Sequence, residues 1–224
     1  HRGAGRLRGG DDLRVLVVPA AALAVLQHPP GRRRAGGDAA GRGCPRLDEG
    51  DGDLTPSRQR IIEVGTALFT GRAHTRSHSR LIDPGISVSE GSSRVHGLRD
   101  ADVHGQPTFR DRAPQIATYV AGRPLVVYNG RRFDIPVLQA EMARAGVTLP
   151  PLTVVDVFAH VRLRYDTPKR PASKKLVDQC AYFGVPLKAA HRAADDAEAT
   201  GRLLVAMQDR GLAPMTIGAL VGKT

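Results

Sequence analysis

Tryptophan is absent from these 224 residues, and the other aromatics are few: five Phe and four Tyr. All nine lie between Phe69 and Phe183, so the first 68 residues bring no ring to a core. Cysteine is nearly absent. Cys44 and Cys180 stand far apart and in no CxxC pattern. That excludes a disulfide framework or a zinc knuckle and makes a reducing cytoplasm the default compartment. Long hydrophobic runs are missing too. The longest, Val15–Leu26, is broken by Pro19 and falls short of the ~20 apolar residues that span a bilayer. It could pass for a signal-peptide core behind Arg14, but Gln27-His28-Pro29-Pro30 follows without a small-x-small cleavage site. A soluble, cytoplasmic protein without a membrane partner is expected.

Acidic residues are the scarcer charge. The chain carries 33 Lys and Arg against 22 Asp and Glu, a net charge of +11, and its pI is about 10.6. Such a balance favours a polyanionic partner, most simply nucleic acid. The excess is uneven: residues 1–46 hold nine Arg and three Asp, net +6, which leaves +5 for residues 47–224. Charge alone therefore does not decide the partner of the downstream part; a solvated cationic surface fits it as well.

The chain changes character near residue 50. Before it Gly, Ala, Arg and Pro dominate, as in Gly31-Arg32-Arg33-Arg34-Ala35-Gly36-Gly37. A segment with few large side chains to bury cannot offset its ordering entropy. Residues 1–46 are expected to be poorly structured, with at most a short helix or strand around Leu13–Leu26. Out-of-frame translation of a GC-rich gene would give the same composition; intact homologous codons upstream in the coding DNA would exclude it.

From residue 58 the pattern is orderly. Arg60–Phe69 reads as a strand of β-branched and apolar residues, broken by Gly71, with His78–Ile82 as its hairpin partner. Ser89–His96 reads as a short helix stopped by Gly97. Thr108–Val120 has helical apolar spacing, closed by Gly122. Leu125–Tyr128 is a short buried strand, Ile135–Ala145 a helix and Leu152–Val157 a strand. Ala159–Tyr165, Lys174–Phe183 and Ala193–Gln208 read as helices. Strands alternating with helices predict an α/β domain around a central mixed sheet, over residues 47–210, with residues 211–224 as a C-terminal tail.

Two segments carry chemistry. In Leu125–Leu138 a buried strand runs into Asn129, then Phe133-Asp134, then a helix. An Asp at such a junction projects a carboxylate from the sheet edge into a cleft. In His191–Ala197 an imidazole stands just before a long helix and Asp196 inside its first turns. The helix N-terminus favours negative charge, so Asp196 is expected to stay ionised and available to a cation. The plain alternatives are a capping carboxylate at Asp134 and a capping or surface histidine at His191. Asp156 reads as structural, His96 and His104 as loop residues, Tyr128 as packing.

Together these segments resemble the DEDDh 3′–5′ exonuclease family, which includes the epsilon proofreading subunit of bacterial DNA polymerase III and ribonuclease T. The family's second motif ends in Phe-Asp after an Asn, matching Asn129, Phe133 and Asp134. Its third motif, His-x4-Asp, matches His191 and Asp196. Arg60–Gly65 matches the Arg-Ile-Ile-Glu-hydrophobic-Gly strand after motif I. Leu81–Gly85 and Val95–Leu98 also fit. The match covers residues 58–209. It implies an RNase H-like α/β fold and hydrolysis of nucleic acid ends to nucleoside 5′-monophosphates. It further implies Asp134, Asp196 and Asp48 as metal ligands, His191 as general base, Asn129 at the substrate, and two Mg²⁺ or Mn²⁺ ions. The implied partners are single-stranded or frayed 3′ ends, with a DNA polymerase as a further candidate.

Motif I, Asp-x-Glu-Thr-Thr-Gly, is not intact. Counting back from Ile61 puts its Asp on Asp48 but its Glu on Gly50. Glu49 points to the other face of a strand and does not replace it. A shifted register uses Asp51 and Asp53. Asp48–Asp53 read as no more than an acidic loop is the remaining alternative, since Gly43-Cys44-Pro45-Arg46 makes a poor buried strand. The alternatives to a working enzyme are an impaired exonuclease fold that still binds nucleic acid ends, and a subunit docked on a polymerase.

Overall fold

In the computed structural model, the structure describes residues 14–17, 23–27, 59–162 and 171–221. The strands are β1 (Arg14–Val17), β2 (Leu23–Gln27), β3 (Gln59–Thr70), β4 (Ala73–Leu81), β5 (Leu125–Val127) and β6 (Val154–Asp156). The helices are α1 (Glu90–His96), α2 (Asp100–Val103), α3 (Phe109–Val120), α4 (Asp134–Ala145), α5 (Val157–Arg162), α6 (Leu176–Phe183), α7 (Ala193–Asp209) and α8 (Ile217–Val221).

All six strands form one sheet. β3 is its long spine. On one edge it pairs antiparallel with β4. On the other it pairs antiparallel with β2 along residues 59–64 and with β1 along residues 67–70. β1 then pairs parallel with β5, and β5 parallel with β6. The mixed sheet expected from the strand–helix alternation is present.

The sheet also draws two strands from the segment before residue 47. Val15-Leu16-Val17 and Leu23-Ala24-Val25-Leu26 are the β-prone, apolar stretches of that segment, whereas the Arg/Gly tracts around them offer nothing to a ladder.

Period-2 alternation on β5 divides the core. Val126 and Tyr128 pack with Phe69, Leu203 and Met207 beneath α7. Leu125 and Val127 pack on the opposite face with Val120 of α3. Each fully buried Leu or Met contributes roughly 1.5–3 kcal/mol, so covering both faces with helices stabilises a sheet of such short parallel strands. Residues 211–224, expected as a tail, include Ala213 and the fully buried Leu220 of α8, both in the cluster beneath α7. The apolar spacing of so short a helix is too brief to read in advance.

Several ends follow from local chemistry. Ser89 caps α1, and Gly97 closes it in the left-handed region at φ 77°. Thr108 and Asp111 form a capping box at α3. α4 is pinned at its far end, where the Glu141 carboxylate accepts the Ile61 N–H at 3.1 Å and pairs with Arg60 and Arg144. That clamp sets the direction in which the start of α4 points. Among the described residues no helix is long and apolar enough to cross a membrane.

Candidate active site

β5 ends at Val127, and the chain turns sharply. Asn129 takes up a left-handed φ of 58°, a region that Asn tolerates better than most residues. Asp156, at the end of the neighbouring β6, fastens this turn. Its carboxylate accepts the N–H groups of Asn129 (2.7 Å), Arg131 (3.2 Å) and Phe158 (3.1 Å). Asp156 is therefore structural, as its strand position implies. The Arg131 guanidinium adds a bond to the Val154 carbonyl at 2.7 Å.

The turn delivers Asp134 as the first residue of α4. Its side chain is 2 % exposed, and Oδ2 is buried without a hydrogen-bond partner. Burial pushes this carboxyl well above the usual carboxylate range, the Asp156 charge pushes the same way, and only the residue's own amide opposes them. Gly130 makes room for it: a Cβ there would stand 2.6 Å from Asp134 Oδ2 and 2.6 Å from Val127 Cβ.

The second junction precedes α7. His191 is exposed and left-handed at φ 69°. Its backbone N–H donates to Asp196 at 3.1 Å (Oδ2) and 3.3 Å (Oδ1). Asp196 is buried, and burial raises its pKa to about 7; Asp195 and Glu63 push the same way and the His191 amide opposes them. The helix N-terminus therefore does not by itself hold Asp196 at an ordinary carboxylate pKa. A helix dipole contributes ~0.3–1 kcal/mol, and removing a carboxylate from water outweighs it.

His96 also differs from expectation. It is the buried last residue of α1, not a loop residue, and burial lowers its pKa, opposed by the Glu63 charge. Its Nδ1 accepts the Leu98 N–H at 3.1 Å. His104 is exposed just after α2. Sequence reasoning gave Glu63 no role. It is fully buried and bonded to Arg192 and Ala193 beside His191. The signal available was an acid at an inward position of an otherwise apolar strand.

Asp134 and the start of α7 share a neighbour in Val127, which lies in one packed cluster with Ala193. Among the described residues no group of three or more His, Cys, Asp and Glu is placed to hold a metal ion. Asp48 lies outside the described residues, as do Gly50, Asp51 and Asp53. The strand beside β5 is β1, and no Asp or Glu occurs from Leu13 to Gly37. The first strand and the expected motif I thus fall about thirty residues apart. Val15-Leu16-Val17 suits a central lane, whereas Gly43-Cys44-Pro45-Arg46 does not.

The family model described as Exonuclease matches residues 53–204. The chain belongs to the DEDDh exonuclease family. DNA polymerase III subunit epsilon of Treponema pallidum is 27 % identical over 154 residues, covering 69 % of this chain and 71 % of that one. A PolC-type DNA polymerase III of Caldanaerobacter subterraneus is 25 % identical over 157 residues, 70 % of this chain. The match spans only 11 % of that polymerase's length. Among solved structures, the nuclease domain of 3'hExo bound to rAMP superposes with a TM-score of 0.65 at 13 % identity, covering 89 % of this chain and 94 % of that one. The exonuclease is thus of RNase H-like fold.

The family generally uses divalent metal ions, and the chemistry of Asp134 fits one. Asp134 presents an unused buried oxygen, and burial raises the pKa of both acids, so a nearby cation would favour the ionised form of each. In this exonuclease Asp134 and Asp196 are the described residues that could ligate it through oxygen, as a hard cation requires.

Proposed function

We propose that this chain hydrolyses nucleic acid from 3′ ends, releasing nucleoside 5′-monophosphates. Asp134 and Asp196 hold divalent cations, Mg²⁺ or Mn²⁺, and His191 acts as general base. The observation that carries the reading is the buried, unpartnered Oδ2 of Asp134. Two such cations, when bound, stabilise charge on the attacking and leaving oxygens.

The protein's own residues do the rest. The exposed His191 imidazole takes a proton from the attacking water, a role an imidazole fills near neutral pH. As water adds to phosphorus, the bond to the O3′ of the penultimate nucleotide breaks. Asp196 anchors the His191 backbone and would also ligate the cation, and Asp156 holds the turn at Asn129, which would contact the substrate strand. Asp48 is the proposed third ligand in the unshifted register, with Asp51 and Asp53 as the shifted pair. The positive charge favours nucleic acid, and single-stranded or frayed 3′ ends are the proposed substrate. Relatives named as DNA polymerase III components make a polymerase a candidate partner.

A second reading has its own support. The lane beside β5 is filled by a strand that carries no acid itself; Asp11 and Asp12 precede it. A fold that lacks motif I would bind 3′ ends and turn over poorly.

One assay separates the two. Single-stranded DNA and RNA oligonucleotides, labelled at either end, are incubated with Mg²⁺, Mn²⁺ or chelator. Metal-dependent shortening from the 3′ end supports the enzyme. Salt-dependent binding without shortening supports the binder. Shortening that persists in chelator, or from the 5′ end, would overturn the proposal. If Gly50→Glu raises activity, the Asp48 register holds; if it does not and Asp51→Ala or Asp53→Ala abolishes activity, the shifted register holds.

A further inference from the structure

Glu63 lies mid-way along β3 with no exposed surface. A carboxylate in such a place is costly unless its oxygens are satisfied. Its partners come from two elements. The Ser79 hydroxyl of β4 donates to Oε1. Arg192 Nη2 donates to the same oxygen at 3.1 Å, and the Ala193 N–H donates to Oε2 at 3.3 Å. Two residues on, Gly65 faces the same helix start: a Cβ there would lie 2.2 Å from the Ala193 carbonyl carbon. β3 therefore meets the first residue of α7 at two successive inward positions, one of them charged.

His191 immediately precedes this contact, in a left-handed conformation at φ 69°. For a residue other than glycine that conformation is unfavourable and persists only where the surroundings fix it. Two holds exist. The His191 amide is tied to Asp196, and the next two residues are tied to Glu63. The buried His96 ring lies within electrostatic reach of Glu63, Arg192 and His191.

We propose that Glu63 is a positioning residue of the exonuclease site. It fixes the turn that presents the His191 imidazole, acting through the Arg192 guanidinium and the Ala193 amide. The idea rests on the reading of His191 as general base. Glu63 itself sits behind the turn, on the spine of the sheet.

The test pairs amide hydrogen exchange on the full-length, metal-free protein with kinetics on a single-stranded oligonucleotide in Mn²⁺. The variants are Glu63→Gln, Arg192→Met and Arg192→Lys. Glu63→Gln and Arg192→Met are expected to speed exchange at residues 191–196 by about tenfold or more. They should lower kcat by roughly 10- to 100-fold, the size of effect that follows a misplaced catalytic group, and leave KM within about twofold. Arg192→Lys, which keeps a cationic donor, should recover most of both losses. Arg192 is 45 % exposed, so its variants carry the test if Glu63→Gln does not fold. Unchanged exchange at residues 191–196 in folded variants overturns the proposal. So does a lowered Tm with kcat unaffected, because that is the signature of a merely structural ion pair. If His191→Ala leaves the rate intact, the base assignment fails instead, and the exchange data alone still decide whether Glu63 holds the turn.

Discussion

The junctions at Asp134 and Asp196 look alike in sequence and differ in what the fold asks of them. Each places an aspartate within the first turns of a helix and buries it, to 2 % and 3 % exposure. Asp196 has structural employment, since both its oxygens receive the His191 amide. Asp134 leaves Oδ2 unused beside a second buried acid, Asp156. Asp156 in turn is fully occupied by three backbone amides. A native fold leaves few buried polar atoms unsatisfied, and each one calls for an explanation. The contrast leaves Asp134 with an oxygen to spare for a bound group, whereas the Asp196 carboxylate is engaged at the turn before α7.

The largest expected effect is on hydrolysis. His191→Ala should lower kcat by roughly 10²–10⁴-fold in single-turnover assays, with affinity for a single-stranded end little changed by anisotropy. Asp134→Ala should remove activity and also weaken Mn²⁺ binding by calorimetry, which His191→Ala should not do. Equal losses of metal affinity in both variants would break the division of roles.

Next comes the glycine beneath each junction. Gly65→Ala drives a Cβ to 2.2 Å from backbone of Ala193, which cannot swing aside, and should cost about 3 kcal/mol. Gly130→Ala meets the Asp134 carboxylate, which can rotate, and the Val127 Cβ, which cannot, each at 2.6 Å rather than 2.2 Å, and should cost about 2 kcal/mol. Urea unfolding midpoints give the order. A larger loss at Gly130 would show the Asp134 junction to be the more rigid of the two.

Neutralising each acid sharpens the comparison further. In metal-free protein at pH 8, Asp134→Asn should stabilise by more than Asp196→Asn, on the order of 1–3 kcal/mol, because Asp134 Oδ2 has no hydrogen-bond partner whereas both Asp196 oxygens accept the His191 amide. The reverse order in denaturant midpoints would sink the idea that Asp134 is uncompensated.

The pH dependence carries the same sign. The Asp196 carboxyl titrates near 3.8 when unperturbed and near about 7 in the fold. Between those values the native state binds the extra proton, so its contribution to stability falls as pH rises from about 4 to about 7 and levels off above. Thermal unfolding without metal should show that slope. Saturating Mn²⁺ should flatten it, since a ligand bound only by the native state adds stability by mass action.

The smallest effects concern the two left-handed residues. Asn129→Gly should change stability by only a few tenths of a kcal/mol and Asn129→Ala should cost about 1 kcal/mol, because only the β-carbon resists φ 58°. At His191 the same pair, Gly against Ala, should show the same ordering in unfolding midpoints.

Much of this was legible in the chain. The alternation of strands and helices gave the mixed sheet, and Gly97 and Gly122, both left-handed, marked helix ends. Asp156 at the end of a strand read as structural and is so. Other features were hidden. Arg14–Val17 and Leu23–Gln27 sit in a segment whose composition argues against structure, and long-range pairing with β3 recruits them. α8 is five residues long, too short for a periodicity, and only the cluster beneath α7 reveals why Leu220 is buried.

By itself the sequence determined the class of site: Asn129, Phe133 and Asp134 in one motif, His191 and Asp196 in another, each at a helix start. Those are properties of local spacing, and spacing survives in one dimension. Only the tertiary structure decided the state of those groups. The helix dipole at Asp196 is local and readable, but the burial that overrules it comes from elements distant in sequence. Glu63 and Ala193 are 130 residues apart, and no pattern along the chain announces that one holds the other. Desolvation and long-range hydrogen bonds depend on what is packed against a residue, so they appear only once the chain has folded back on itself.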